Sequence, residues 1–412
     1  MKLLRDRSVV ALLAAEFVSS LGTQMTWLAL PWFVLTTTGS PQRMTWVIIA
    51  ELLPMAAVGF FGGALAQRVG TRRTMLVCDL ARVPLMGAIP LLYDLGHLPF
   101  WALLALVAAT GVFVAPYFAV RGAIVPELVG EEQTTVARAT AVFQAVQRLT
   151  IFLGPPAAGI LIAAFGPARL LYVDAATYLV SFLLVAAFVR VRGAVAADAE
   201  AGRDVNGALA GIRYVLRDRL LRAWTTAFLL VEIGWVSLFA TLPVLVVRHY
   251  DADPKVLGWI VGALGAGALV GAGVAYRIVE RYDPLTLAST AFACQMAAVW
   301  LLAVPAPWQL PFAALFVGGF FVSIVNSPTM ALFTLRTPRS LRTQVISVFG
   351  TLLGLGAPLG LVVVGFALGR VDPRVVLVVV LALQTAGIAL FIGAALTERA
   401  SLRAAAAVDS AA

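Results

Sequence analysis

Apolar residues arrive along this chain in long unbroken runs, separated by short polar connections. Twelve runs reach the roughly 20 residues that an α-helix needs to cross about 30 Å of hydrocarbon. They lie near 11–35, 44–66, 73–93, 100–120, 136–164, 170–189, 221–247, 256–279, 285–304, 308–332, 343–368 and 374–396. Barrel strands would instead alternate apolar and polar positions over about 10 residues. The pattern therefore predicts an all-α membrane protein of twelve transmembrane helices. The amino terminus, "MKLLRDRSVVALLAAEFVSSLG", imitates a signal peptide. Its apolar run continues through "MTWLALPWFVL", too long for a cleaved segment, so it reads as the first span.

The longest polar segment, 190–220, divides the runs six and six. The expected organisation is a first six-helix bundle over 1–189, a linker over 190–220, a second bundle over 221–396 and a cytoplasmic tail over 397–412. Within the linker, "GALAGIRYVLRDR" places Leu209, Ile212 and Leu216 on one helical stripe and Arg213, Arg217 and Asp218 away from it. That stripe suits an amphipathic helix lying on the membrane surface.

Composition sharpens the class. Hydrophobic residues make up 61% of the 412 and charged residues only 12%; mean hydropathy is +0.95. Soluble domains carry about twice that share of charge. The net charge of +9 does not point to nucleic acid, because the basic residues form no single face interleaved with aromatics. Twenty-two of them lie on one set of alternate connections, the set that includes both termini, and six on the other. The positive-inside rule assigns the first set to the cytoplasm. Cys78 and Cys294 are far apart and lie in apolar runs. His97 and His249 are isolated. Neither type supports a metal site. Lys2 and Lys255 follow no glycine, so no phosphate loop for ATP is present. No cofactor is expected, nor is an enzyme. The implied partners are lipid, a small molecule and the proton, with the chain acting as a monomer.

The halves also echo one another. "FLGPPAAGIL" in the fifth run is matched by "GLGAPLGLV" in the eleventh, and the connection holding Gln67 and Arg68 by "AYRIVERYDP". Glycine and proline at corresponding places in two halves mark an internally repeated transporter. Together with "GGALAQRVGTRRTM", "GPPAAG" and "ALAGIRYVLRDRLLRAW", these stretches resemble the major facilitator superfamily. The likeness covers essentially the whole chain and is greatest to bacterial exporters of siderophores, macrolides and drugs. The resemblance implies two pseudo-symmetric bundles and alternating access. It assigns a conformational gate to Gly63, Gln67, Arg68, Gly70, Arg72 and Arg73, supported by Asp79 and Arg82. It assigns a helix kink and a dry seal to Gly154, Pro155 and Gly159. Gln67 stands where the family usually carries an aspartate, so the gate lacks that charge, although an amide still donates and accepts hydrogen bonds.

Ionisable groups inside spans are expensive and are candidates for function. Glu51, Glu232 and Glu16 are the candidate proton carriers, since burial disfavours the charged form of a carboxyl. Asp79 and Arg82, three residues apart, share a helix face and also suit a structural pair near the interface. Glu16 could instead reach toward headgroups, and Asp174 reads as interfacial. Arg148 needs a partner, either Glu16, Glu232 or an anionic group of the substrate. Trp27, Gln24, Gln144, Gln147, Trp235 and Asn326, with Gln384, are the polar and aromatic residues able to line a substrate cavity. The expected function is export of a small amphipathic molecule by proton antiport. A lysolipid flippase or metabolite facilitator is the alternative, and a membrane sensor or scaffold without flux is the second.

Overall fold

The computed structural model describes residues 6–130, 132–190, 212–338 and 341–409; within helices, the side chains of 59–68, 327, 330–335, 343, 346–347, 355 and 398–409 lie outside the described set. Among the described residues, twelve long helices follow one another. They are α1 (Arg7–Thr38), α2 (Pro41–Val69), α3 (Thr71–Asp94), α4 (Phe100–Val129), α5 (Gln133–Phe165), α6 (Pro167–Phe188), α7 (Arg219–His249), α8 (Pro254–Ile278), α9 (Pro284–Trp300), α10 (Gln309–Arg336), α11 (Arg342–Leu368) and α12 (Pro373–Asp409). Eleven of these are long and apolar enough to cross a membrane on their described residues. The remaining one, α2, spans 29 residues, but its last third falls where side chains are not described.

Most helices outrun the apolar stretches that predicted them. The α4 helix continues nine residues past the expected end at 120, which brings Arg121 inside it. At the carboxy terminus α12 continues into the segment expected as a tail. Of the expected linker, 191–211 with Leu209 lies outside the described residues. Residues 212–217 are helical, with Ile212 and Leu216 exposed and Val215 buried. Prolines do not break the helices. Pro54, Pro84, Pro116 and Pro155 all lie inside them, as membrane helices permit when neighbours satisfy the freed carbonyls. Connections are short and several turn on glycine. Gly39 adopts φ +64° and returns its N–H to the Leu35 carbonyl, a left-handed cap that side chains with a Cβ rarely adopt.

Two compact units emerge. The first holds α1–α6 together with Leu242–Gly265 and Gly365–Arg370. The second holds Arg203–Thr241, Ala266–Val364 and Val371–Ala412. In the first, α1 packs along α6 and α5, α2 along α4, and α3 along α4 and α6. Its apolar core is built from Leu12, Met75, Ile124, Phe143 and Val185. Many large apolar side chains face outward, among them Trp101, Leu183 and Phe188, as lipid contact requires.

Glycines set the closest helix approaches of this unit. Gly154 of α5 lies against Gln24 of α1, and Gly159 against the backbone of Pro254 and Lys255. Gly258 and Gly262 of α8 lie against Pro155 and Pro156. A methyl group at Gly258 would collide with the Pro155 carbonyl. The "GPPAAG" stretch is therefore a packing surface, of the kind small residues make when helices meet in lipid. In the second unit Gly356 and Gly360 of α11 meet Leu229 and Ile233 of α7. The two matched glycine–proline stretches thus fill comparable roles in their own units.

Candidate transport site

A continuous line of polar side chains runs through the interior of the first unit. At one end Arg121 of α4 pairs with Glu16 of α1 at 3.0 Å. Ser20 donates to the same carboxylate at 2.8 Å and the Tyr117 hydroxyl at 3.4 Å. In the middle Arg82 of α3 is tied to Asp79 one turn earlier. Its guanidinium lies over the rings of Tyr117 and Tyr178, 4.6 and 4.2 Å from their centroids. Ser181 of α6 donates to the other Asp79 oxygen at 2.7 Å. Farther along, the Tyr178 hydroxyl meets Thr23 at 3.1 Å. At the far end Asp174 of α6 accepts from Thr26 at 2.6 Å and from Thr177 at 3.1 Å. Glu51 of α2 is half-buried.

The local sequence explains this placement. Glu16, Ser20, Thr23 and Thr26 recur at three- and four-residue spacing, so they line one face of α1. Asp174, Tyr178 and Ser181 do the same on α6. Glu16, Asp79 and Asp174 are fully buried, and Arg82 is only 3% exposed. Charges so deep survive only when paired or hydrogen-bonded, and each has such partners. Among the described residues, helices α1–α6 nevertheless hold five buried or half-buried acids, Glu16, Glu51, Asp79, Glu127 and Asp174, against three such cations, Arg72, Arg82 and Arg121. Within that same set Glu51 and Asp174 form no ion pair.

The structure separates the residues that the sequence singles out. Asp79 and Arg82 form a buried ion pair inside the first unit. Asp174 is enclosed by protein instead of facing headgroups. Glu16 takes Arg121, not Arg148, as its partner. Arg148 is exposed on α5 and makes no ion pair among the described residues; Gln144 is exposed beside it and Gln147 half-buried. Trp27 is 51% exposed on α1. In the second unit Glu232 is half-buried, Trp235 stacks on Phe239 at 5.9 Å, and Asn326 is exposed. Gln384 is buried with its amide nitrogen unpartnered. At the arginine-rich connection Gly70 adopts φ +90° at the start of α3. Arg72 donates to the Ala186 carbonyl at 2.8 Å, Thr71 donates to Glu127, and Arg73 is exposed. The surroundings of Gly63 and the side chains of Gln67 and Arg68 lie outside the described residues.

Arg121, Tyr117 and Tyr178 are the site residues that sequence reading does not find. The apolar run pauses at Arg121, which places it in a connection. The apolar residues of "GAIVPELV" beyond it are the available signal that the helix goes on. Nothing in the sequence marks the two tyrosines as the walls around Arg82.

The family model described as Major Facilitator Superfamily matches residues 12–360 and 229–410. The chain belongs to the major facilitator superfamily. It is therefore a multi-pass membrane transporter and not an enzyme. Its similar relatives include the multidrug efflux pump Tap of Mycolicibacterium fortuitum, 27% identical over 87% of this chain and 88% of the relative. The Mycobacterium tuberculosis pump of the same name is 24% identical over 86% and 85%. Among solved structures, the nucleoside transporter NupG aligns with a TM-score of 0.74 at 12% identity, covering 94% of this chain and 98% of that one. A bacterial homologue of the iron transporter ferroportin aligns at 0.69 and 13%, covering 94% and 98%. At such identities these two report the fold alone.

Proposed function

We propose that this transporter exports small amphipathic drug-like molecules in exchange for protons. It works by alternating access, exposing a binding site first to one side of the membrane and then to the other. The cargo class is supported by relatives named as multidrug efflux pumps across most of their length. The coupling is supported by the interior of the first unit, where buried acids outnumber cations. A proton entering such a site removes a charge that is expensive to keep dry. Movement of one charge through 100 mV supplies about 2.3 kcal/mol without ATP. Glu51 and Glu232, which lack ion-pair partners among the described residues, are the leading proton carriers; Glu16 is already held by Arg121. The arginine bias supports cytoplasmic termini, and the bacterial relatives support an inner-membrane location. Arg148, Gln144, Gln147, Trp27, Gln24, Trp235 and Asn326 are the proposed substrate contacts. Gly70, Arg72 and Arg73, with Gly63, Gln67 and Arg68, are the proposed gate.

Efflux of a fluorescent cationic dye from cells making the protein tests this reading. Flux should collapse on adding an uncoupler. Glu51→Gln and Glu232→Gln should each lower the uncoupler-sensitive part by about tenfold or more at unchanged protein level. Flux that ignores the uncoupler would indicate a facilitator. Unchanged flux in both variants would remove these two acids as carriers. Transport of lysolipid in place of dye would make the protein a flippase.

A further inference from the structure

The short helix before α7 carries exposed chemistry that packing does not account for. It covers residues 212–217, and Asp218 joins it to α7. The Asp218 N–H donates to the Tyr214 carbonyl at 3.0 Å, closing the short helix. One carboxylate oxygen of Asp218 accepts from the N–H groups of Leu220 and Leu221 at 2.9 and 3.0 Å, opening α7. The other oxygen pairs with Arg336, the last residue of α10, at 3.3 Å. The Tyr214 hydroxyl donates to the Arg336 carbonyl at 3.4 Å.

This anchoring fixes which faces look outward. Val215, Leu220 and Leu221 are buried. Ile212 and Leu216, four residues apart, form an exposed apolar pair. Arg213 and Arg217, at the same spacing and one position further round the helix, form an exposed basic pair. Arg219 and Arg222 are exposed in the first turn of α7. Among the described residues, Arg213, Arg217 and Arg219 have no ion-pair or hydrogen-bond partner, and Arg222 only returns to the Leu216 carbonyl at 3.1 Å. Asp218 is the single acid of 212–222, and it is committed to the α7 cap and to Arg336. Positive charge at the start of a helix opposes the helix dipole, so local stability does not account for the arginines.

Water alone would suit the four guanidinium groups but not the apolar pair. Hydrocarbon alone would suit the pair but not the guanidinium groups. Both are satisfied at the membrane surface, and α7 begins its apolar stretch at Leu220, immediately after this segment. We propose that residues 212–222 form a docking surface for anionic phospholipid headgroups of the membrane that the protein spans. Ile212 and Leu216 rest in the acyl boundary, and Arg213, Arg217, Arg219 and Arg222 hold the phosphates, which guanidinium forks match in shape and charge. The surface is independent of the cargo and of proton exchange.

Native mass spectrometry of the full chain, released from nanodiscs of equal phosphatidylglycerol and phosphatidylcholine, tests the headgroup preference. The triple variant Arg213→Gln, Arg217→Gln, Arg219→Gln should lower the ratio of retained phosphatidylglycerol to phosphatidylcholine by about fivefold or more, since one basic residue near an anionic surface is worth about 1 kcal/mol. Arg138→Gln, Arg277→Gln and Arg281→Gln together remove the same charge from other exposed positions and should leave the ratio nearly unchanged. Equal loss in the two triples would overturn a local surface, because net charge would then suffice. An unchanged ratio in the first triple would overturn it too, as expected if Asp198, Glu200 and Asp204 of the preceding segment engage the arginines instead. Spin labels give a second readout with the arginines intact. Cys78 is buried, and Cys294→Ser removes the exposed native thiol. A label on Leu216→Cys should collide more with oxygen than with a water-soluble nickel chelate, and a label on Arg217→Cys the reverse. A chelate that reaches both positions equally would overturn the membrane-surface placement.

Discussion

The two units place different chemistry on the same helical frame. Around Gly22 the first unit carries Glu16, Asp79, Arg82, Asp174 and Ser181, a network of charges and hydroxyls walled by Tyr117 and Tyr178. Around Gly234 the second unit carries Phe228, Phe292, Phe349 and Phe391. Their rings meet at 5.2–6.0 Å, mostly edge to face, and Trp224 stacks on Phe391 at 5.2 Å. Gln295 and Gln384 are buried there, each with one amide atom unpartnered. Gln295 follows Phe292 at the spacing by which Arg82 follows Asp79. Helix packing sets the frame through glycines and small residues, and the frame accepts either filling. The second unit shows that an aromatic cluster is sufficient for packing. The costly charges of the first unit therefore point to work other than packing.

The largest effect expected from breaking this contrast is at its most charged point. Asp79→Asn leaves the Arg82 guanidinium buried without its counter-charge and should destabilise the protein by about 3–5 kcal/mol. A thermal unfolding midpoint in detergent reads this directly. The double variant Asp79→Asn with Arg82→Gln removes both charges and should recover a substantial part of the loss. A double variant as unstable as the single would mean that the network, not the unpaired charge, carries the energy.

Next in size is the aromatic side of the comparison. Phe391→Ala opens a cavity among the rings of Trp224, Phe228 and Phe292 and should lower stability by roughly 3 kcal/mol. Uncoupler-sensitive dye efflux per folded molecule should change far less than in Glu51→Gln. Equal loss of efflux in the two variants would erase the division between packing and work. The smallest effect is where each unit packs a polar side chain on a glycine, Gln384 on Gly234 and Asp174 on Gly22. Gln384→Leu removes an amide nitrogen that has no partner and should be neutral or stabilising by less than about 1 kcal/mol. Asp174→Leu in the first unit would instead strip Thr26 and Thr177 of their shared acceptor and should be the more harmful of the two. Equal melting shifts would contradict the claim that only one of these positions is polar for a reason.

Membrane class and helices are legible in the residue order alone. Long apolar runs suffice for these, because lipid forces every backbone group to bond within its own helix. Glu16, Glu51, Asp79, Arg82 and Glu232 also stand out as costly there, since charge inside an apolar run is visible one residue at a time. The pairing of those charges is not legible. Residue order offers Arg148 as a partner for Glu16, yet Arg121 takes that place, because α4 runs nine residues beyond its apolar stretch and meets α1 at that level. Likewise Asp174 stands out only as an acid near a helix end; burial beside Gly22 and Thr26 is a property of how α1 lies on α6. Helix formation is settled within each segment by local hydrogen bonds and hydropathy. The meeting of two side chains more than a hundred residues apart depends on helix length, rotation and close approach together, and those are fixed only when the helices pack.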